Sequence, residues 1–254
     1  MYVHIFTSST TTLPLTTMQT VLHTADSRGH ANHGWLNSHH TFSFAGYSNP
    51  ERMHFGVLRV LNDDTVAGGK GFGAHPHDNM EIISIPLSGT LEHRDNAGNH
   101  GIIGSSDVQV MSAGTGIAHS EKNHSSSEPV KFLQIWVFPN KRNVPPRYDQ
   151  QTFQAADRHN QFQQVLSPNP DDAGVWIHQD AWFHLADFDA GFTADYQVKK
   201  PGNGVYVFVL EGEVAVAGQS LKQRDGLGVW ETGSFSVQAS ANARLLLMEV
   251  PMSL

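Results

Sequence analysis

The sequence predicts an all-β protein made of two antiparallel β-barrel or sandwich units, and three observations carry that expectation. Short alternating segments such as EIISIPLSG (81–89), TLEHRD (90–95) and DVQVMSAG (107–114) follow one another closely, with Gly-rich turns between them, a spacing typical of antiparallel barrels and sandwiches. The same texture returns later in the chain. There GVYVFVLEGEVAVAGQSL echoes EIISIPLSGTLEHRD, and DGLGVWETGSFSVQAS echoes DVQVMSAGTGIAHSE. Helical patterning is weak throughout, and RYDQQTFQAADR is expected to be at most a short helical connector.

A chain of 254 residues accommodates one large or two ordinary domains, and 39% hydrophobic with 16% charged residues is the composition of a folded globular protein. The formal net charge of -8 argues against nucleic acid or anionic lipid as a partner. Cysteine is absent, which removes disulfides, thiolate ligands and a Cys nucleophile, so any metal must be held by nitrogen and oxygen. No apolar run reaches membrane-spanning length. A cytoplasmic, membrane-free monomer is the expectation. Of 16 histidines, all but His159, His178 and His184 lie at or before His124, which concentrates the chemistry in the first half.

In chain order, residues 1–22 are Thr-rich and carry no Lys or Arg, so they lack the basic region of a secretory signal and are expected to form a poorly ordered extension, with Met18 as an alternative start. TFSF and HFGVLRVL read as strands around an SNPER turn. The cluster His30, His33, His39 and His40 is irregularly spaced, and a surface role is preferred there over metal binding. DNAGN is a hairpin loop. Phe132 to Phe138 is a strongly apolar strand, and Pro139, Pro145 and Pro146 mark a linker, which divides the chain into 23–142 and 143–254. Setting Gly89 against Gly212 places Val198 and Lys200 opposite His75 and His77, and Ser236 and Gln238 opposite His119 and Glu121. The second unit is therefore expected to hold no metal.

The stretch 69–123 carries the candidate site. Side chains two apart on a strand share a face, so His75 and His77 project together, as do His119 and Glu121. Three imidazoles and a carboxylate suit one first-row divalent ion and leave about two positions open on a six-coordinate metal. Glu81 shares parity with His75 and His77, and spacing alone does not choose between it and Glu121.

GKGFGAHPHDNMEIISIPLSG and SAGTGIAHSEKN resemble the two boxes of the cupin superfamily, and RGHANHGWLNSHHTFSFAGY, LRVLNDD and AGTGIAHSE resemble the pirin family, closest to bacterial pirin-like quercetin 2,3-dioxygenases. Gly114 stands where the second box usually has proline, and the interval from Glu81 to Gly89 is one residue longer than usual. The resemblance implies a bicupin, two barrels face to face, with metal only in the first. It also implies His75, His77, His119 and Glu121 as the ligands, with Glu81 outside the metal.

The same resemblance implies opening of a flavonol ring with O2 and release of carbon monoxide, with a small aromatic substrate. Fe(II) is the expected ion, with Mn, Co, Ni, Cu and Zn as alternatives, and Glu121 is the expected base. Two other classes fit the fold: a metal-binding regulatory or sensor protein, and a cupin enzyme of non-redox chemistry. Phe44, Met53, Phe55, Phe132 and Trp136 are candidate walls for a flat substrate, though plain core is the preferred reading of each. Metal affinity is expected to fall as pH drops through about 6.5, where imidazoles ordinarily protonate.

Overall fold

Short strands, most of them alternating buried and exposed residues, build four sheets that are antiparallel save for one pair, Gln163–Ser167 with Val175–Trp176. The structure, a computed structural model, describes residues 17–254. In the first half a seven-stranded sheet runs, in spatial order, through Arg147–Thr152, Asp107–Ser112, Glu81–Ser88, Val130–Val137, Leu58–Val66, Leu36–His40 and Gly29–Asn32. Its companion is a four-stranded sheet of Gly71–His77, Ile117–Asn123, Thr90–Asp95 and His100–Gly104. The second half repeats the pair of seven and four strands. Each unit is thus two apposed sheets rather than one closed ring, and the all-β, two-barrel expectation holds. Helix among the described residues is limited to two short 3-10 turns.

The two large sheets bury both faces. On Val130–Val137, Leu133, Ile135 and Val137 join a cluster that also takes Phe183, Tyr206, Phe208, Leu246 and Met248 from the second half. Val130 and Phe132 point the other way, into the first barrel. This shared core presses the large sheets face to face. Inside the second barrel one apolar cluster, including Val207, Val214, Leu227, Val237 and Leu247, takes most of the space, and beside it Tyr196 Oη and Asn203 Nδ2 donate to the buried carboxylate of Glu249, with His184 next to Tyr196. Inside the first barrel the apolar residues split into two small clusters, and buried Ser84, His93, Asp64 and Glu121 occupy the interior as well.

The repeat is real in its turns. Gly89 (φ 76°) and Gly212 (φ 81°) each follow the long central strand of their unit. A Cβ at these positions would lie 2.9 Å from Pro129 O and 2.0 Å from Asn242 O respectively, so both sites require glycine. The register of the second barrel differs from the expected one. Ser236 and Gln238 are exposed, and the inward positions are Phe235 and Val237, paired with Tyr196 and Ala194. Ser236 pairs with Asp195 where His119 pairs with His75, so Asp195 rather than Val198 takes the position that corresponds to His75. A slip of one residue reverses a strand's faces.

Two strands cross the expected boundary. Arg147–Thr152 is an edge strand paired with Asp107–Ser112 in the first half, followed by the 3-10 turn Ala155–Arg158, where a short helical connector was expected. Gln19–His23 pairs with Gly226–Trp230 in the second half, so residues 19–22 are strand rather than loose extension; residues 1–16 lie outside the described residues. Edge strands with one wet face carry little apolar alternation, which is why pattern does not reveal them. Each unit lends a strand to the other.

His23 anchors its strand, with Nδ1 2.9 Å from Tyr206 Oη. Burial, reinforced by the charge of Arg52, pushes its pKa down to about 4. The unfolded chain takes up this proton below about pH 6.5 while the folded chain does not until about pH 4, so stability is lost as pH falls through that window. Urea denaturation at pH 7.5 and 5 is expected to show His23→Gln losing less stability than wild type on acidification, by on the order of 1–2 kcal/mol; equal losses would contradict the assignment.

Candidate metal centre

Three adjacent strands of the small sheet carry the site. Ile117–Asn123 lies between Gly71–His77 and Thr90–Asp95, and the registers set His119 opposite both His75 and Asp95, and Glu121 opposite both Phe72 and His93. The pairing with Gly71–His77 shifts between His119 and Glu121, an irregularity that lets Phe72 pack inward although it is three residues from His75. Ligand atoms of His75, His77 and His119 lie within 4.8 Å of one another, and those of His93, His119 and Glu121 form a second such group. His119 belongs to both groups, and Glu121 joins it through His93 rather than through His75 and His77.

Hydrogen bonds fix which ring nitrogens are free. Nδ1 of His75 lies 2.8 Å from the carbonyl of Gly73, which can only accept, so His75 donates from Nδ1 and leaves Nε2 bare. Asp95 accepts from the backbone amides of Ala97 and Asn99 and from Asn99 Nδ2. Burial disfavours its charge, but hydrogen bonds from Asn99 and His93 outweigh that and hold it below the usual carboxylate range. As an acceptor, Asp95 Oδ2 fixes the proton of His93 on Nε2, 3.1 Å away. His93 Nδ1 must then accept from His119 Nδ1, at 3.5 Å. His119 Nε2 is left as a bare lone pair, buried and without a partner.

That orphaned atom and the nitrogen-rich donor set fit a divalent metal ion. His77 and His119 are ready to ligate across the physiological range. Burial, with the charges of neighbouring histidines, lowers His77 to about 4 and His119 to about 3. Proton competition at these two nitrogens sets in near pH 4, not at the 6.5 expected for free imidazole, because the desolvated lumen penalises the cation.

Glu121 is fully buried, and burial raises its pKa against the opposing effects of Ser84, His93, His75 and Gln134. Gln134 Nε2 donates to its Oε2 at 2.6 Å. Ser84 Oγ lies 2.8 Å from both Glu121 Oε1 and Gln134 Oε1. Glu81 belongs elsewhere. It shares the face of Ile83 and Ile85, which pack into the core between the units, and accepts from Ser112 Oγ at 2.6 Å. The two carboxylates that spacing left open are thus separated by the sheet on which Glu81 sits.

Beside the cluster is a cavity of about 220 Å³ bounded by His75, Glu121, Phe44, Phe72, Trp136, His40, Asn62 and Asp64, among others. A larger cleft of about 730 Å³, lined by residues such as Arg142, Asp180, Lys200 and Met252, contains none of the clustered histidines. Of the expected aromatic walls, Phe44 and Trp136 line the small cavity, Phe55 and Phe132 are core, and Met53 is 42% exposed. In the early His cluster, His30 and His39 stack on each other with rings 4.6 Å apart, while His33 and His40 line the cavity. His93, Asp95, Ser84 and Gln134 were not anticipated. The parity of Leu91, His93 and Asp95 in TLEHRD is the one signal that could have found two of them.

The family model for pirin matches residues 21–137, and that for the quercetinase C-terminal cupin domain matches 164–250. The chain is 42% identical to a quercetin 2,3-dioxygenase of Escherichia coli strain K12 over 91% of its own length and 98% of that protein. The chain belongs to the pirin family. A pirin-like protein of Caulobacter vibrioides is 40% identical over 88% of this chain and 96% of its own. The crystal structure of the E. coli bacterial pirin YhhW in complex with nickel(II) superposes with a TM-score of 0.86 at 40% identity, covering 92% of this chain and 99% of that one. Among the described residues of this pirin no helix is long and apolar enough to cross a membrane.

The His119–His93–Asp95 chain generates a direct expectation. Asp95→Asn offers His93 an amide that can donate, which removes the compulsion on both tautomers. Affinity for nickel(II), measured by chelator competition, is expected to fall about 10- to 100-fold with the melting temperature of the metal-free protein little changed. Unaltered affinity would contradict the tautomer assignment.

Proposed function

We propose that this pirin is a metal-dependent dioxygenase that opens the flavonol ring of quercetin-like substrates with O2 and releases carbon monoxide, with His75, His77, His119 and Glu121 as the metal ligands. The single observation that carries the reading is the buried, unpartnered Nε2 of His119 inside a group of three imidazoles, set at the edge of an aromatic-walled cavity. The 42% identity to the E. coli quercetin 2,3-dioxygenase supplies the reaction class. Among the ions such a site admits we favour Fe(II), since imidazole and carboxylate ligation with open positions suits oxygen chemistry.

The bound cation supplies Lewis acidity that stabilises the deprotonated hydroxyl of the substrate. The side chains supply the rest. His75 and His119 are pre-set in the ligating tautomer by Gly73 and by His93 with Asp95. Trp136 stands edge-on to His77, ring centroids 5.0 Å apart, and with Phe44 and Phe72 it walls off water from one side of the cavity. Glu121, made more basic by burial, accepts the hydroxyl proton at Oε1. The Ser84 hydroxyl, equidistant from Glu121 Oε1 and Gln134 Oε1, donates to the carboxylate before transfer and turns to Gln134 afterwards. Only the Ser84 hydroxyl has to rotate for Glu121 to change protonation state.

The test is anaerobic reconstitution with each candidate ion, followed by oxygen uptake and carbon monoxide detection on quercetin. Metal-loaded wild type is expected to consume O2 and release CO in step. His119→Ala is expected to lose both, and Glu121→Gln to lose at least about 100-fold in turnover. Full turnover by metal-loaded Glu121→Gln would remove Glu121 as the base, and O2 consumption absent for every ion would remove the dioxygenase reading.

A further inference from the structure

His93 is the loosest link in the chain that turns His119 toward the metal. Its ring makes two hydrogen bonds, one to Asp95 at 3.1 Å and one from His119 Nδ1 at 3.5 Å. The second is long, and an imidazole turns over a broad range about its Cβ–Cγ bond, so these two contacts alone leave the plane of the ring loosely held. What holds it comes from the other sheet. The half-buried ring of Tyr148, on the edge strand Arg147–Thr152, lies against His93 with centroids 4.6 Å apart and planes at 32°.

Tyr148 reaches that position because one residue lacks a side chain. Across the small sheet Glu121 pairs with His93, and His93 pairs with Gly101. A Cβ at Gly101 would stand 1.9 Å from Tyr148 Oη and 2.8 Å from its Cζ, so the phenol occupies the place that a side chain in this row would take. Gly101 does not have a left-handed φ; glycine is needed here for space rather than for backbone conformation. The hydroxyl is tied down as well. Tyr148 Oη donates to Gln150 Oε1 at 2.9 Å, and Gln150 Nε2 donates to the carbonyl of Ile102 at 2.9 Å and to Asp107 Oδ2 at 3.0 Å. One residue earlier, the Arg147 guanidinium lies over the ring of Trp176 in the second unit, 3.9 Å from its centroid. The strand is thus pinned to the second unit next to the ring that backs His93.

We infer that Tyr148 is a positioning residue for the metal centre: its ring, seated in the slot left by Gly101, fixes the plane of His93 and through it the direction of His119 Nε2. Tyr148 lies in neither of the segments matched by the family models, 21–137 and 164–250. The inference rests on the reading of His119 as a metal ligand given above, and it assigns a task to the strand that follows the linker between the units. Groups that orient a ligand from behind are worth about 10- to 100-fold in metal affinity.

The test is the nickel(II) affinity of the full chain by chelator competition, with nitrogen-15 NMR of His93 in the metal-free protein. Tyr148→Leu keeps apolar bulk without a flat face, and Gly101→Ala drives the phenol out of its slot; each is expected to weaken nickel binding about 10-fold. Tyr148→Phe, which keeps the ring, is expected to stay within about 3-fold of wild type. The double variant Gly101→Ala with Tyr148→Leu is expected to bind nickel no more weakly than the worse of the two single variants, since both act through one contact. His93 is expected to show one fixed tautomer in wild type and Tyr148→Phe, and exchange between two in Tyr148→Leu, a change that simple support of the barrel would not produce. Melting temperatures identify a variant that has not folded, and the other route to the same slot then decides. Tyr148→Leu and Gly101→Ala binding nickel like wild type, Tyr148→Phe losing as much as Tyr148→Leu, or additive losses in the double variant would overturn the inference and leave His119 standing as a ligand. Wild type failing to bind nickel would overturn both.

Discussion

A lone pair that has nowhere to go inside the protein organises the first barrel. His119 is buried, its Nδ1 proton is committed toward His93, and its Nε2 meets no donor. An unpaired buried nitrogen is unfavourable unless something outside the chain's own inventory meets it. Everything around it follows from that need. His75 turns its own Nε2 free by donating to Gly73, Asp95 is locked as an acceptor by the turn at Ala97 and Asn99, and Ser84 and Gln134 hold the carboxylate of Glu121.

The same polar interior weakens the barrel as a hydrophobic object. Its apolar residues fall into two small clusters, where the second barrel has one continuous filling. Support comes from outside. The large sheet of the first unit lays Leu133, Ile135, Val137, Ile83, Val108 and Val110 against Phe183, Tyr206, Phe208 and Leu246 of the second. Exchange of the edge strands Arg147–Thr152 and Gln19–His23 ties the units further, and Tyr148 from the first of these stacks 4.6 Å from His93. The second barrel is thus a scaffold for its partner.

Much of this was legible in the residues. Alternation, Gly turns and their repetition predicted an all-β pair of barrels, and two-residue parity predicted that His75 and His77, and His119 and Glu121, would face one interior. Parity could not separate Glu81 from Glu121, because it fixes a face within one strand and says nothing about which sheet that strand joins. Glu81 lies on the large sheet with its side chain toward the core between units. His93 and Asp95 escaped because a single histidine in TLEHRD is unremarkable until the register places it opposite Glu121. The exchanged strands escaped because RYDQQT and QTVLH are short and largely wet. Phe44 and Trp136 could not be told from ordinary core by composition, since an aromatic strand looks alike whether it faces a cavity or a neighbour.

Central to the account is one ion held by imidazoles that meet at His119. X-ray absorption on protein loaded with one equivalent of Fe(II) under nitrogen tests it most directly. The account predicts scattering from about three imidazole rings and a carboxylate oxygen around a single class of iron, with one ring's contribution missing in His119→Ala. A spectrum without imidazole scattering, or one left unchanged by that substitution, would contradict it.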